Sequence, residues 1–323
     1  MVRFLIALLF MALPAWAQTE PLPSWNDTPA RQAILDFVEA TTDPKAATFV
    51  QPSDRIAVFD NDGTLWAEQP IYFQFLFAMD EAKARAAADL EWAATPVLEA
   101  AAAGDVKKVL SGGEAALVEV VTATHSGLTV EEFTARVHDW LTTARNPQTG
   151  QLLTGMTYQP MIELLDYLRD NEFQTWIVSG GGVDFMRAFT EEAYGIPPQQ
   201  VIGSLGKISL QTIDGKPQVM KDPAIAFIDD KEGKPLGIER SIGKRPIFVA
   251  GNSDGDLAML QWSTAGDGPR FGMIVHHTDA AREFAYDRDS PIGRLDKALD
   301  AAPAAGWTVV DMARDWAQVF TGN

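Results

Sequence analysis

Residues 56–65 read Ile-Ala-Val-Phe-Asp-Asn-Asp-Gly-Thr-Leu. An apolar, strand-like run ends in two carboxylates spaced two apart, Asp60 and Asp62, followed by Gly63 and Thr64. Burial accounts for Ile56 to Phe59 but not for two acids at the strand's exit, where a carboxylate is costly unless it is paired or coordinated. The pair points to a bound cation, and a cation beside a free carboxylate points to phosphate chemistry.

Two further apolar runs end in small, polar turns. Trp176-Ile177-Val178 runs into Ser179-Gly180-Gly181-Gly182, and Ile247-Phe248-Val249-Ala250 into Gly251-Asn252-Ser253-Asp254-Gly255-Asp256. Parallel strands of one sheet point their exits the same way, so the three clusters can share one crevice. Taken alone, Ser179 reads as a helix N-cap with no ligand. Beside Asp60 it reads as a phosphate donor.

The elements that must position these groups follow from the apolar period. Strands are expected at Arg55–Asp60, Thr175–Ser179, Val201–Leu205, Pro246–Ala250, Gly272–His276 and Thr308–Asp311, with helices at Pro29–Thr41, Pro160–Leu168 and from Val183. Strand and helix alternate, which predicts an α/β fold with a doubly wound parallel sheet. From 70 to 155 the chain is Ala-rich with apolar residues at helical spacing, as at Phe75, Met79, Ala82 and Ala86. No strand-like segment occurs there, so a helical insertion is expected. Residues 18–54 read as an extension with one helix, and 55–69 with 156–323 as the core. Lys207–Lys216 predicts a hairpin turning at Asp214-Gly215.

Composition narrows the function. The chain has 323 residues, 46% hydrophobic, enough for a large core. Its formal net charge of −18 disfavours nucleic acid and anionic lipid as partners. An anionic substrate therefore needs local positive charge at its site. Cys is absent, which excludes thiolate metal sites, disulfides and Cys nucleophiles. Arg3, the apolar stretch Phe4–Leu13 and Pro14-Ala15-Trp16-Ala17 read as a signal peptide over residues 1–17, cut after Ala17. The apolar run is too short to span a bilayer. A periplasmic or secreted protein, with no membrane attachment after cleavage, is expected.

The paired aspartates, the Ser after a second strand, a Lys and a final acidic Gly-rich turn, in that order, resemble the haloacid dehalogenase-like hydrolase superfamily, and in particular its magnesium-dependent phosphatases. The resemblance covers residues 55–66 and about 156–312. It implies a Rossmann-like core with residues 70–155 as a cap domain. It also implies Asp60 as the nucleophile that becomes an aspartyl-phosphate. Asp62 would protonate the leaving oxygen and then help deprotonate water. The superfamily's dehalogenases lack an acid at that position, so Asp62 favours a phosphatase. Thr64 would hold the turn at the substrate's edge, and Ser179 with the amides of Gly180 and Gly181 would bind phosphate. Among Lys221, Lys231, Lys234 and Lys244, Lys234 has the family's position and would neutralise Asp60 and the transferring group.

The last cluster departs from the family, which has Asp where this chain has Asn252. An amide oxygen can bind Mg²⁺ but brings no charge. The expected metal set is Asp60, the main chain of Asp62, Asn252 and Asp256. Asp254 or Asp256 stands as the replacement for Asn252, and Asp256 otherwise orients Lys234. The implied function is a Mg²⁺-dependent phosphomonoester hydrolase for small phosphorylated substrates. Transfer to an alcohol acceptor and non-catalytic binding of a phosphate ester are the alternatives. Trp66, Glu68 and Tyr72 follow the first cluster and read as core packing or as a substrate-side lining. His276-His277 reads as one packed and one solvated ring rather than a metal pair.

Overall fold

The computed structural model describes residues 20–89 and 91–322, so the signal-peptide expectation lies outside the described residues. No helix among the described residues is long and apolar enough to cross a membrane.

Among the described residues seven strands form one sheet: β1 (Ile56–Phe59), β2 (Gln174–Gly182), β3 (Val201–Ile213), β4 (Lys216–Phe227), β5 (Phe248–Gly251), β6 (Phe271–His276) and β7 (Thr308–Asp311). Their order is β4-β3-β2-β1-β5-β6-β7. All neighbours are parallel except β3 and β4. This is the doubly wound α/β architecture that the alternation of elements predicts. β1 lies at the centre, buried at every residue, which is why it reads as an unbroken apolar run. Phe59 stands opposite Ile177 on one side and Ala250 on the other. That register sets the exits of β1, β2 and β5 side by side.

Helix α1 (Pro29–Thr42) precedes β1. Among the described residues six α-helices lie between β1 and β2, the first five being α2 (Phe73–Ala88), α3 (Pro96–Ala102), α4 (Val106–Ser111), α5 (Gly113–His125) and α6 (Val130–Leu141). Ile71, Phe75, Met79, Leu98, Val109 and Val120 gather α2 to α5 into an apolar cluster of their own. The later helices are α7 (Gln159–Asp170), α8 (Val183–Arg187), α9 (Thr190–Tyr194), α10 (Gly233–Ser241), α11 (Leu257–Thr264), α12 (Lys297–Ala305) and α13 (Met312–Asp315). Two apolar clusters cover the two faces of the sheet, one around Phe59, Leu164 and Phe248, the other around Val58, Val249 and Ile238.

Three expectations change. The predicted strand at Val201–Leu205 and the separate hairpin are one element, because β3 runs on to Ile213. Its first three residues are buried in the sheet; beyond Ser204 it leaves the core and pairs with β4 instead of β2. Asp214 and Gly215 make the turn with φ of 50° and 77°, the left-handed pair that a tight hairpin demands. Second, β2 does not stop at Ser179. Gly182 still pairs with Ser204 across a register shift, because the glycines let the strand bulge without losing its partner. Third, the extension before α1 is packed on the core. Trp25 packs edge-on against Trp316 and donates from Nε1 to the Pro160 carbonyl at 2.9 Å, and Ser24 hydrogen-bonds Glu163.

The loop from β4 to α10 carries an electrostatic cost. Asp229 is fully buried, and neither carboxylate oxygen has a hydrogen-bond partner among the described residues. Burial pushes its carboxyl up to about 7, against the pull of Lys234. A folded-state pKa above the unfolded value means that the native state binds the extra proton. Unfolding free energy is therefore expected to fall as pH rises from about 4 to about 7. Asp229→Asn removes the group and should stabilise the protein at pH 8 by up to about 4 kcal/mol. Denaturant titrations of both proteins at pH 5 and pH 8 check this; equal slopes with pH would count against it.

Candidate active site

The exits of β1, β2 and β5 form the floor of a cavity of about 380 Å³. Asp60, Asp62, Ser179, Gly180, Gly181 and Lys234 all line it.

Asp60 caps β1, with its amide donating to the Ala250 carbonyl at 2.9 Å. Its Oδ1 accepts from Lys234 Nζ at 2.6 Å. Burial and then Asp256 raise the Asp60 carboxyl to about 8, against the opposing pull of Lys234. Lys234 enters from the first turn of α10 and is buried. Its three donors meet Asp60, Asp256 Oδ1 at 2.5 Å and the Val178 carbonyl at 3.0 Å. Burial alone would lower the ammonium's pKa, but Asp256 and Asp60 together hold it above the ordinary Lys value. The other lysines lie elsewhere: Lys244 pairs with Asp54 on the surface, Lys231 sits beside Asp230, and Lys221 joins Asp184 in the cavity wall.

Asp62 is held by the turn that follows it. Gly63, at φ 74°, turns the chain so that its amide donates to the Trp66 carbonyl at 2.8 Å. The Trp66 indole returns to donate to Asp62 Oδ1 at 2.8 Å. Trp66 is buried and stacks on Phe189 at 4.4 Å, so it belongs to the core and steers Asp62 from behind. Burial raises the Asp62 carboxyl, opposed by that indole. His277 is the packed member of its pair and donates from Nε2 to the Gly63 carbonyl at 2.8 Å; His276 keeps partial exposure. Nothing in the sequence connected His277 to this turn.

Ser179 Oγ accepts from the Gly181 amide at 3.1 Å. The Gly182 amide donates to Gln74 Oε1 at 2.7 Å. The β2 turn is thus braced by α2, a contact across 108 residues that sequence reasoning missed.

The four remaining expected residues are placed as follows. Thr64 does not border the substrate space: it is fully buried and donates from Oγ1 to Asn252 Oδ1 at 3.1 Å. Asp256 takes the second of its two expected places, beside Lys234. Oδ1 is held by Lys234, and Oδ2 accepts the amides of Asn252 at 2.9 Å and Ser253 at 3.1 Å. Asp254 faces away, with Oδ1 accepting the amides of Asp296 and Ala298. Asn252 is buried behind the floor, where its oxygen takes the Thr64 hydroxyl and its Nδ2 donates to Glu68 Oε1 at 2.7 Å.

Glu68 is the functional candidate that sequence reasoning left unresolved. It lines the cavity and is nearly inaccessible to solvent. Its Oε1 also accepts from Tyr286 at 2.9 Å, while Oε2 has no hydrogen-bond partner among the described residues. Burial and then the Asp62 charge raise its carboxyl well above the usual range. Its one signal in the sequence was an acid directly after Leu65-Trp66-Ala67.

The donor set fits a hard divalent cation. Asp60, Asp62, Glu68 and Asp256 stand against the single ammonium of Lys234, and every donor is oxygen. Among the described residues no three His, Asp or Glu side chains form a metal cluster, and two carboxylates with a main-chain carbonyl would make a smaller set. Asp60, the Asp62 carbonyl and Glu68 could supply it. Glu68 would bring the charge that Asn252 lacks.

Among solved structures, the chain is similar to a protein of unknown function from Bordetella pertussis Tohama I. That match has 15% identity and a TM-score of 0.51, and covers 80% of this chain and 98% of the other. A conserved functionally unknown protein from Anaerococcus prevotii DSM 20548 matches at 17% identity and a TM-score of 0.50, over 77% of this chain and 85% of its own. Both likenesses are of fold. No curated protein matches. The model of the haloacid dehalogenase-like hydrolases matches residues 57–261, through all three strand exits and α10, and the chain belongs to that family.

Proposed function

We propose that this hydrolase is a Mg²⁺-dependent phosphomonoesterase that works through an aspartyl-phosphate on Asp60. The observation that carries the reading is the buried Asp60–Lys234–Asp256 chain facing Asp62 across one cavity. A dehalogenase has no use for a second, proton-holding carboxyl at position 62.

An Asp60 carboxylate oxygen attacks phosphorus, and the bond from phosphorus to the ester oxygen breaks. Asp62, whose burial keeps its carboxyl above the ordinary range, gives its proton to the departing alcohol. Water then attacks the acyl phosphate, Asp62 takes the water's proton, and inorganic phosphate leaves with the Asp60 carboxylate restored. Lys234 stays charged throughout and offsets the negative charge gathered at the floor. Ser179 Oγ and the Gly180 amide supply neutral donors for phosphate oxygens. Mg²⁺, when bound by Asp60, the Asp62 carbonyl and Glu68, supplies charge neutralisation for the phosphate dianion. The helices α2 to α6 act as the cap, which favours small substrates over folded phosphoproteins. The apolar N-terminal stretch supports export to the periplasm or beyond.

The test is hydrolysis of p-nitrophenyl phosphate with EDTA and with Mg²⁺ added back. Turnover is expected to vanish in EDTA and return with Mg²⁺; turnover indifferent to chelation opposes the metal assignment. In a Mn²⁺ titration followed by electron paramagnetic resonance, Glu68→Gln should weaken binding by at least about tenfold. Wild-type affinity in that variant would remove Glu68 from the metal site.

A further inference from the structure

The cavity extends well beyond the phosphate floor, and its outer walls differ in character from its base. Phe75 from α2, Leu117 and Val121 from α5, Phe133 from α6, Phe185 from α8 and Ile225 from β4 face it. The hairpin wall is fixed to the cap by main-chain bonds. The Gly127 amide donates to the Lys221 carbonyl at 2.9 Å, and the Lys221 amide to the Leu128 carbonyl at 2.9 Å. The outer cavity is therefore a built apolar chamber rather than a gap between loose elements.

Its charges are equally informative. Among the described residues, the basic side chains lining it are Lys221 and Lys234. Lys234 is engaged by Asp60 and Asp256. Lys221 is bonded to Asp184 and lies 4.5 Å from the centre of the Phe133 ring. His125, also in the wall, is kept neutral, its pKa lowered to about 3 by burial and by Lys221 and Arg85. Asp222 and Asp230 add negative charge beyond the Lys221–Asp184 pair. A second phosphate or an amino-acid carboxylate on the leaving group would find no unpaired cation here and would lose its hydration.

We propose that the natural substrate is the phosphate monoester of an uncharged, apolar alcohol, aromatic or alkyl, whose hydrocarbon fills this chamber. The inference rests on the phosphatase reading and adds the substrate class to it. Nucleotides and phosphoserine-like esters are then poor substrates.

The test measures kcat/KM of the Mg²⁺-loaded enzyme on ethyl, butyl, hexyl, phenyl and 1-naphthyl phosphates, beside O-phosphoserine and a nucleoside 3′,5′-bisphosphate. The expected result is a rise of about two- to fourfold per added methylene, with the hexyl and naphthyl esters far ahead of both charged compounds. Leu117→Ala and Val121→Ala should shrink the hexyl-to-ethyl ratio. A flat chain-length series, or phosphoserine or the nucleotide as the preferred ester, overturns the substrate class while leaving the phosphatase reading intact. Failure to turn over any ester overturns both.

Discussion

Asp60→Asn is expected to lower kcat for p-nitrophenyl phosphate by about 10⁴-fold or more, the scale on which removal of a nucleophile is felt. The amide keeps the shape of the carboxylate but cannot attack phosphorus. It also keeps an oxygen for Lys234, whose second partner Asp256 is untouched. The loss should therefore not be one of folding. Burial and Asp256 already raise the Asp60 carboxyl to about 8, so its ionised form is the costly one in the native state. The sign follows: a raised carboxylate pKa removes stability as pH climbs, and the Asn variant should melt no lower than wild type at pH 8. Acid quench of wild type during turnover should trap phosphate covalently on the peptide containing Asp60, and the variant should trap none. Near-normal turnover by the variant, or label on another peptide, would end the mechanism.

Lys234→Met is expected to cost both activity and stability. The ammonium stands between two buried carboxylates and is almost inaccessible to solvent. Removing it leaves Asp60 and Asp256 facing each other without compensation. Breaking a buried ion pair from one side costs about 3–5 kcal/mol. Chemical denaturation at pH 7.5 should show a loss of that size with kcat near background. The double variant Lys234→Met with Asp256→Asn removes one of the orphaned charges. It should recover part of the stability, because the amide oxygen can still accept the Asn252 and Ser253 main-chain donors. It should recover no activity, because nothing then offsets the charge on the phosphoryl group. If stability and activity return together, Lys234 is a structural pin and no more.

How legible these features were depended on the range of the interaction behind each. β1 was legible because a central parallel strand must be apolar throughout, and its abrupt acidic end showed where the sheet opens. The turn at Asp214-Gly215 was legible because two successive left-handed residues leave few sequence choices. The course of β3 past Ser204 was not, since a strand that changes partners keeps its β character and shows nothing at the point of exchange. Thr64 was misplaced, and Asp256 was left between two places, for a related reason. A carboxylate or hydroxyl near a metal site looks the same in sequence whether it faces the ligand or braces the residue that does. Gln74, His277 and Tyr286 brace the floor from segments far along the chain, and no local pattern marks such partners.

By itself, then, the sequence determined the α/β class, the strands that carry the chemistry and the acids at their ends, because period and local cost operate over a few residues. Only the tertiary structure decided which oxygens remain available. It gave Asp256 to Lys234, gave Asn252 to Thr64 and Glu68, and set Glu68 in the cavity wall. It also decided that the space above the strand exits is largely apolar, because that chamber is assembled from helices and a hairpin distant along the chain, from Phe75 to Ile225. Side-chain pairing and cavity shape are set by packing between distant segments, and that information exists only once the chain has closed on itself.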